Sequence, residues 1–330
     1  MRIAVDLMGG DFGANQLVPA VERFSEHFPD IEFSLIGDRA VHCRPAPAPL
    51  CLHDRTDQRC RPDGRYPGYA LRHRRESSMY RAVSAVASGE ADGCVGPGQY
   101  RCSHGNRPAC AEDGARCRPP AIIKAIPSTH GRCYLLDLGA NINCSARQLV
   151  QFAAMGSLMC GAVEGIASPK VGLLNIGEEE GKGEDAVREA AAILRERSAI
   201  DFIGFVEGDG IYRSEADVLV CDGWVGNVAL KTSEGLARFV ADMIRDAFRR
   251  DLVSKVAGWL AAPVLRKLEH ELSPEHYNGA TLLGLNGIVV KSHGSADEKG
   301  FYHAIGETRR CVEQAIPGLL GEKIGAITGE

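Results

Sequence analysis

The chain has 330 residues, 45% of them hydrophobic and 25% charged, with a formal net charge of −5 at pH 7 and a pI near 6.1. That length and balance suffice for a large buried core and exclude the basic surplus of a nucleic-acid binder. No apolar run is long enough to span a bilayer, and Met1-Arg2-Ile3-Ala4-Val5-Asp6 opens in strand-like sequence rather than a secretory signal, so a cytoplasmic protein is expected.

In chain order, residues 2–7 read as a buried strand. Gly9-Gly10-Asp11 follows, then a helix from Asn15 to Phe28 whose Leu17, Val18, Val21 and Phe24 form an apolar stripe. Ile31 to Ile36 is a second strand ending at Gly37-Asp38. This βαβ order implies a parallel sheet with helices on its faces. From Val41 to Tyr69 the pattern collapses into Pro, Arg, Cys and His with neither strand nor helix period. Helical sequence returns at Ser77 to Val83, and a second irregular stretch runs from Cys94 to Pro119. Strand-like Ala121-Ile122-Ile123 then reopens the alternation. Strands are expected at Cys133–Leu138, Val171–Ile176, Phe202–Phe205 and Val218–Cys221, and helices at Ala146–Cys160, Glu184–Glu196 and Val228–Arg250. An amphipathic stretch, Asp251 to Leu272, precedes a strand Gly287–Lys291 and a last helix Ala296–Glu313.

Twelve cysteines invite a disulfide or zinc reading. Seven of them (Cys43, Cys51, Cys60, Cys94, Cys102, Cys110 and Cys117) cluster in the irregular region without a CxxC pair, which disfavours zinc. A disulfide framework does not suit a large cytoplasmic chain.

Five segments carry a resemblance. They are Asp6-Leu7-Met8-Gly9-Gly10-Asp11, Leu136-Asp137-Leu138-Gly139-Ala140-Asn141, Gly172-Leu173-Leu174-Asn175-Ile176-Gly177-Glu178-Glu179-Glu180, Val220-Cys221-Asp222-Gly223-Trp224-Val225-Gly226-Asn227, and Leu283-Gly284-Leu285-Asn286-Gly287-Ile288-Val289-Val290-Lys291-Ser292-His293-Gly294. In this order and spacing they are similar to the phosphate acyltransferase (PlsX) family, over residues 1–40 and 120–315. The resemblance implies transfer of a fatty acyl group from acyl carrier protein to inorganic phosphate, giving acyl phosphate for phospholipid synthesis. It implies a doubly wound α/β/α sandwich with a mostly parallel sheet, related to the phosphotransacetylase and isopropylmalate dehydrogenase folds, in one domain over residues 1–330. It also implies a homodimer at the inner membrane surface, supplying a membrane glycerol-3-phosphate acyltransferase, with no cofactor or metal.

One family signature is absent. Where the family has Ser-Ala-Gly-Asn-Thr-Gly-Ala, this chain has Gly96-Pro97-Gly98-Gln99-Tyr100-Arg101-Cys102. A one-nucleotide shift of frame lets the run Gln99 to Asn106 encode Asn-Thr-Gly-Ala-Leu-Met-Ala-Thr, and the same shift restores family-like sequence at Gly114 to Pro119. Paired, compensating frameshifts around residues 41–69 and 94–119 account for the cysteine cluster and the lost periodicity. His104 and the clustered cysteines then have no role. If the printed frame is the real polypeptide, the alternative is a catalytically impaired, non-enzyme remnant.

Phosphate attacking a thioester needs an anion cradle, a partner for the carbonyl oxygen as it gains charge, and alignment. Phosphate is already negative at neutral pH, so positioning and electrostatic stabilisation dominate. In an open α/β sheet the ligand crevice lies beyond the carboxyl ends of the strands, beside helix N-termini. Lys291 offers a fixed charge, His293 a donor or proton shuttle and Ser292 a hydroxyl contact; the plainer reading is a helix cap with a surface lysine. Asn141 holds phosphate or the acyl carbonyl, or stabilises a turn. Asp137 organises the same loop through hydrogen bonds. Asp222 and Asn227, flanking Gly223 and Gly226, carry the same two readings. Lys182, in a charged loop with Gly181 and Gly183, closes over an anion or is simply solvated. Gly9, Gly10 and Asp11 allow close backbone approach or make a tight turn.

Within 251–272 an apolar face that includes Val256, Trp259 and Leu260, with Lys255, Arg266 and Lys267 nearby, reads as an interfacial membrane helix. Core or dimer packing is its alternative. A dehydrogenase of related fold is disfavoured because no GxGxxG follows the first strand; a phosphotransacetylase stays open.

Overall fold

A computed structural model describes residues 1–37, 50–54, 77–98, 119–272 and 275–328. Short Val-, Ile- and Leu-rich runs form strands β1 Arg2–Asp6, β2 Glu32–Gly37, β3 Leu50–Asp54, β4 Gly93–Pro97, β5 Ala121–Ser128 and β6 Gly131–Leu136. β7 Lys170–Leu174, β8 Asp201–Val206, β9 Val218–Val220, β10 Ala280–Leu283 and β11 Ile288–Ser292 follow. Between them lie helices α1 Ala14–His27, α2 Ser78–Ala87, α3 Ala146–Glu164, α4 Asp185–Arg195, α5 Gly223–Arg249, α6 Leu252–Leu272, α7 Glu298–Glu313 and α8 Ile316–Thr328.

The strands make one sheet in the order β3-β2-β1-β4-β11-β10-β5-β6-β9-β7-β8. β3, β2, β1, β4 and β11 form a parallel block, and β6, β9, β7 and β8 form another. Between the blocks, β10 and β5 each pair antiparallel to both neighbours. Three reversals leave the two blocks running in opposite senses. Strand-end loops of β1, β4 and β11 therefore open at one edge, and those of β6, β9 and β7 at the other. The matched strand-end loops therefore fall at two edges of the sheet.

The two-residue alternation of side chains sorts the core into two layers. Ile3 and Val5, Tyr134 and Leu136, Val218 and Val220, and Ile288 and Val290 face the buried sides of α1, α3, α4, α7 and α8. Their neighbours Ala4, Cys133, Leu135, Leu219 and Val289 face the other way, towards α2 and the start of α5. Helices thus cover both sheet faces, the doubly wound sandwich expected from the sequence. Lys291 follows Val289 at the strand's period of two, and Lys124 stands between Ile122 and Ile126 in the same way, so both lysines project on the α5 side.

Three elements depart from the sequence reading. Strand β3 lies inside the stretch read as patternless, where its backbone pairs in parallel with β2 from Phe33–Leu50 to Gly37–Asp54; a backbone ladder at a sheet edge does not require alternating side chains. β10 has only four residues, too short for its period to register. α8 follows the helix expected to be the last. Most of the irregular segments 41–69 and 94–119, with His104 and with Cys43, Cys60, Cys102, Cys110 and Cys117, lies outside the described residues, whereas Cys94 is buried in the central strand β4.

Candidate active site between α5 and the sheet

After β6 the chain turns through Asp137 to Asn141. Asp137 is fully buried and accepts hydrogen bonds from the backbone N–H groups of Ile122 (2.8 Å), Ala140 (3.2 Å) and Asn141 (2.7 Å). It also accepts one from Asn141 Nδ2 (3.0 Å), which donates to the Pro120 carbonyl as well (2.8 Å). Burial pushes the Asp137 carboxyl up, while these donors pull it down. The amide donors of Asn141 are spent inside the loop, in the turn-stabilising role. Asp222 caps α5 by accepting from the Trp224 N–H (2.7 Å), and its other oxygen accepts from the Cys144 N–H (2.8 Å).

The first turn of α5 lies directly on this loop. A Cβ at Gly223 would stand 2.3 Å from the Asn141 carbonyl oxygen, and one at Gly226 would stand 2.0 Å from that of Asp137. Only glycine permits backbone-to-backbone contact of this kind. The two glycines of the Asp222–Asn227 segment are therefore explained by packing.

From that anchor α5 crosses the sheet face and closes a pocket over β5, β10 and β11. The cavity is about 80 Å³ and opens to solvent, with room for a small anion. Lys124 and Lys291 line it from the sheet, Asn227, Lys231 and Glu234 from α5, and Ser292 and His293 from the end of β11. Glu234 lies 3.5 Å from Lys124 Nζ through Oε1 and 2.8 Å from Lys231 Nζ through Oε2, with Arg238 at 3.9 Å. Lys231 Nζ is in turn 3.4 Å from His293 Nε2.

Cations outnumber anions here. Among the described residues no carboxylate stands within ion-pair reach of Lys291, although its ammonium is largely buried. Burial, then Lys231 and Lys124, lower the Lys291 pKa. Burial and then Lys231 likewise lower that of His293, which favours its neutral form. His293 Nδ1 stands 2.8 Å from Ser295 Oγ and 3.2 Å from the Ser295 backbone N, and its Nε2 faces Lys231.

Asn278 fixes this corner. It is 7% exposed, and its Nδ2 donates to Ser292 Oγ (2.8 Å) and to the Gly300 carbonyl (2.8 Å). Its Oδ1 accepts the His293 N–H (2.9 Å). One amide thus ties β11, the His293 turn and α7 together.

The pocket brings together Lys291, Ser292, His293 and Asn227 of the residues expected from sequence. Asp137, Asn141 and Asp222 lie behind it as the support of α5. Gly9, Gly10 and Asp11 stand at the opposite edge, where the Asp11 N–H donates to the Gly294 carbonyl (2.8 Å) and so braces the His293 turn. Lys182 pairs with Glu179 (2.9 Å) in an exposed loop that does not line the pocket. Lys124, Lys231, Glu234 and Asn278 were missed. Lys124 had a visible signal, a lone charge between Ile122 and Ile126 on an apolar strand, whereas Lys231 and Glu234 resemble any surface pair three residues apart. A larger cavity of about 420 Å³ lies on the other sheet face, but its arginines are already matched: Arg310 with Glu307 and Glu164, Arg309 with Glu313, and Arg132 with Glu164.

Residues 1–318 match the family described as Fatty acid synthesis protein. The chain belongs to that family. It is 43% identical over 340 residues to a phosphate acyltransferase of Halorhodospira halophila, covering 100% of this chain and 97% of that protein. A phosphate acyltransferase of Nitrosococcus oceani is 43% identical over 335 residues, covering 97% and 96%. Among solved structures, a phosphotransacetylase from Streptococcus pyogenes superposes with a TM-score of 0.58 at 17% identity, covering 95% of this chain and 94% of that one. The likeness is one of fold. Family membership over the whole length removes the need for the impaired-remnant reading.

Adding a methyl at the closest backbone contact tests the anchor. Gly226→Ala is expected to destabilise the protein by about 1–3 kcal/mol through overpacking, measured as a lower denaturant midpoint with little change in slope. An unchanged midpoint would show that α5 is not seated on the Asp137 loop.

Proposed function

We propose that the chain transfers a fatty acyl group from the thioester of acyl carrier protein to inorganic phosphate, making acyl phosphate for phospholipid synthesis. The observation that carries this reading is Lys291, a partly buried cation with no carboxylate within ion-pair reach among the described residues, in a small pocket it shares with Lys124 and Lys231. A phosphate oxygen attacks the thioester carbonyl carbon; the new C–O bond forms and the C–S bond breaks. The phosphate proton ends on the carrier sulfur, so the reaction balances without a cofactor. Lys291 holds the phosphate charge with Lys124 and Lys231 beside it, and burial strengthens the interactions of Lys124 and Lys291. His293, set beside Lys231, meets the carbonyl oxygen as it gains charge. Asn227 supplies an amide contact. Ser292 and Asn278 act on the substrate only through the position they give His293, and Asp137, Asn141 and Asp222 act through α5. Gly9, Gly10 and Asp11 support the turn after His293, and Lys182 stands apart from the reacting groups.

Lys291→Met is expected to lower phosphate-dependent kcat/KM by about 100-fold or more in an assay of carrier thiol release. Native values in a folded Lys291→Met variant would remove phosphate from this pocket.

We further propose that the arm made by α5 and α6 meets other surfaces from the cytoplasmic side. Val256, Trp259 and Leu260 on α6 are 60%, 76% and 67% exposed, beside Lys255 and Arg266. Leu236, Phe239 and Met243 on α5 are also exposed. Exposed apolar clusters of this kind mark interaction sites. The α6 cluster suits the interfacial layer of the membrane, and the α5 cluster suits the second copy of a homodimer. Peripheral contact at the inner face brings acyl phosphate to a membrane glycerol-3-phosphate acyltransferase. Among the described residues no helix is long and apolar enough to cross a membrane. In liposome sedimentation, Trp259→Glu with Leu260→Glu should shift the protein from pellet to supernatant; unchanged sedimentation would remove the membrane contact.

A further inference from the structure

A pocket that accepts phosphate has no obvious need for a carboxylate, yet Glu234 stands in it and is 8% exposed. Every charged group facing Glu234 is a potential cation: Lys124 from β5, Lys231 and Arg238 from α5, Lys291 from β11 and His293 from the following turn. A buried anion costs desolvation energy and weakens the attraction for a second anion. Its geometry supplies the reason for its presence. One carboxylate oxygen takes Lys124 and the other takes Lys231, which places Lys231 Nζ beside His293 Nε2. Lys291 is left outside this pairing.

We propose that Glu234 is a positioning residue that fixes the Lys124 and Lys231 ammonium groups on its two oxygens, so that they and Lys291 receive phosphate as one unit. The proposal rests on the reading of phosphate at Lys291. Without the carboxylate, Lys124, Lys231, Lys291 and Arg238 would face one another uncompensated. Each lysine would then release its proton at a lower pH, because a neighbouring negative charge is what favours the charged form. Removing one cation has the opposite effect on the lysines that remain.

The test is the alkaline limb of inorganic phosphate binding, followed by 31P NMR on the full chain, together with the pH profile of phosphate-dependent kcat/KM. Glu234→Gln should move the limb to lower pH by about one unit or more. Lys231→Met should move it to higher pH, and Glu234→Asp should restore the native limb while leaving KM for phosphate raised several-fold. A strut whose charge does not act on the phosphate-binding lysines would alter thermal stability and leave the limb in place. An unmoved limb in both Glu234→Gln and Lys231→Met therefore overturns the proposal. If Glu234→Gln does not fold, Lys231→Met, at a half-exposed position, decides by the sign of its shift. Native protein that binds no phosphate at any pH overturns the phosphate reading itself, and the proposal with it.

Discussion

The backbone of α5 begins in contact with the backbone of the Asp137–Asn141 loop, and the position of the helix's charged groups in the pocket follows from that contact. Gly223 and Gly226 bring the helix down onto two carbonyl oxygens, Asp222 caps its first turn, and buried Asp137 holds the loop beneath. Asn227, Lys231 and Glu234 then recur at intervals of four and three residues, the spacing of one helical face. That face meets Lys124 and Lys291, which the strand period has already turned towards it. A displaced first turn would carry the helical cations away from those of the sheet.

The opposed blocks of the sheet give this helix its significance. The Asp137 loop leaves one edge and His293 leaves the other, so strand-end loops alone cannot assemble a site from both halves. α5 joins them across the face. Its charges come to lie among Ile122, Leu138 and Leu230, where a low local dielectric makes an uncompensated ammonium costly and an arriving anion valuable. Asn278 completes the arrangement from the other side by fixing Ser292 and the His293 turn with a single amide.

Much of the fold was legible because strand and helix periods are strong signals. The strands β5 to β9 and β11 and the helices Ala146–Glu164 and Asp185–Arg195 stand where the apolar spacing put them, to within a few residues. β10 was not legible, and with it went the reversal of strand direction, since Ala280–Leu283 is too short to announce a strand. Lys291, Ser292, His293 and Asn227 were found through motif resemblance. Lys124 and Glu234 belong to no such motif. Their meaning depends on a contact between residues 110 positions apart in the chain, and no local pattern carries that information.

The central claim is that phosphate occupies the pocket between α5 and the sheet. A crystal structure of the full chain with inorganic phosphate tests it most directly. The account predicts a phosphate oxygen at hydrogen-bonding distance, about 3 Å, from Lys291 Nζ, with Lys124 and Lys231 on the same anion or one shell away. Phosphate bound instead at the Gly9–Asp11 turn or in the Lys182 loop, with the α5 pocket unoccupied, would contradict it.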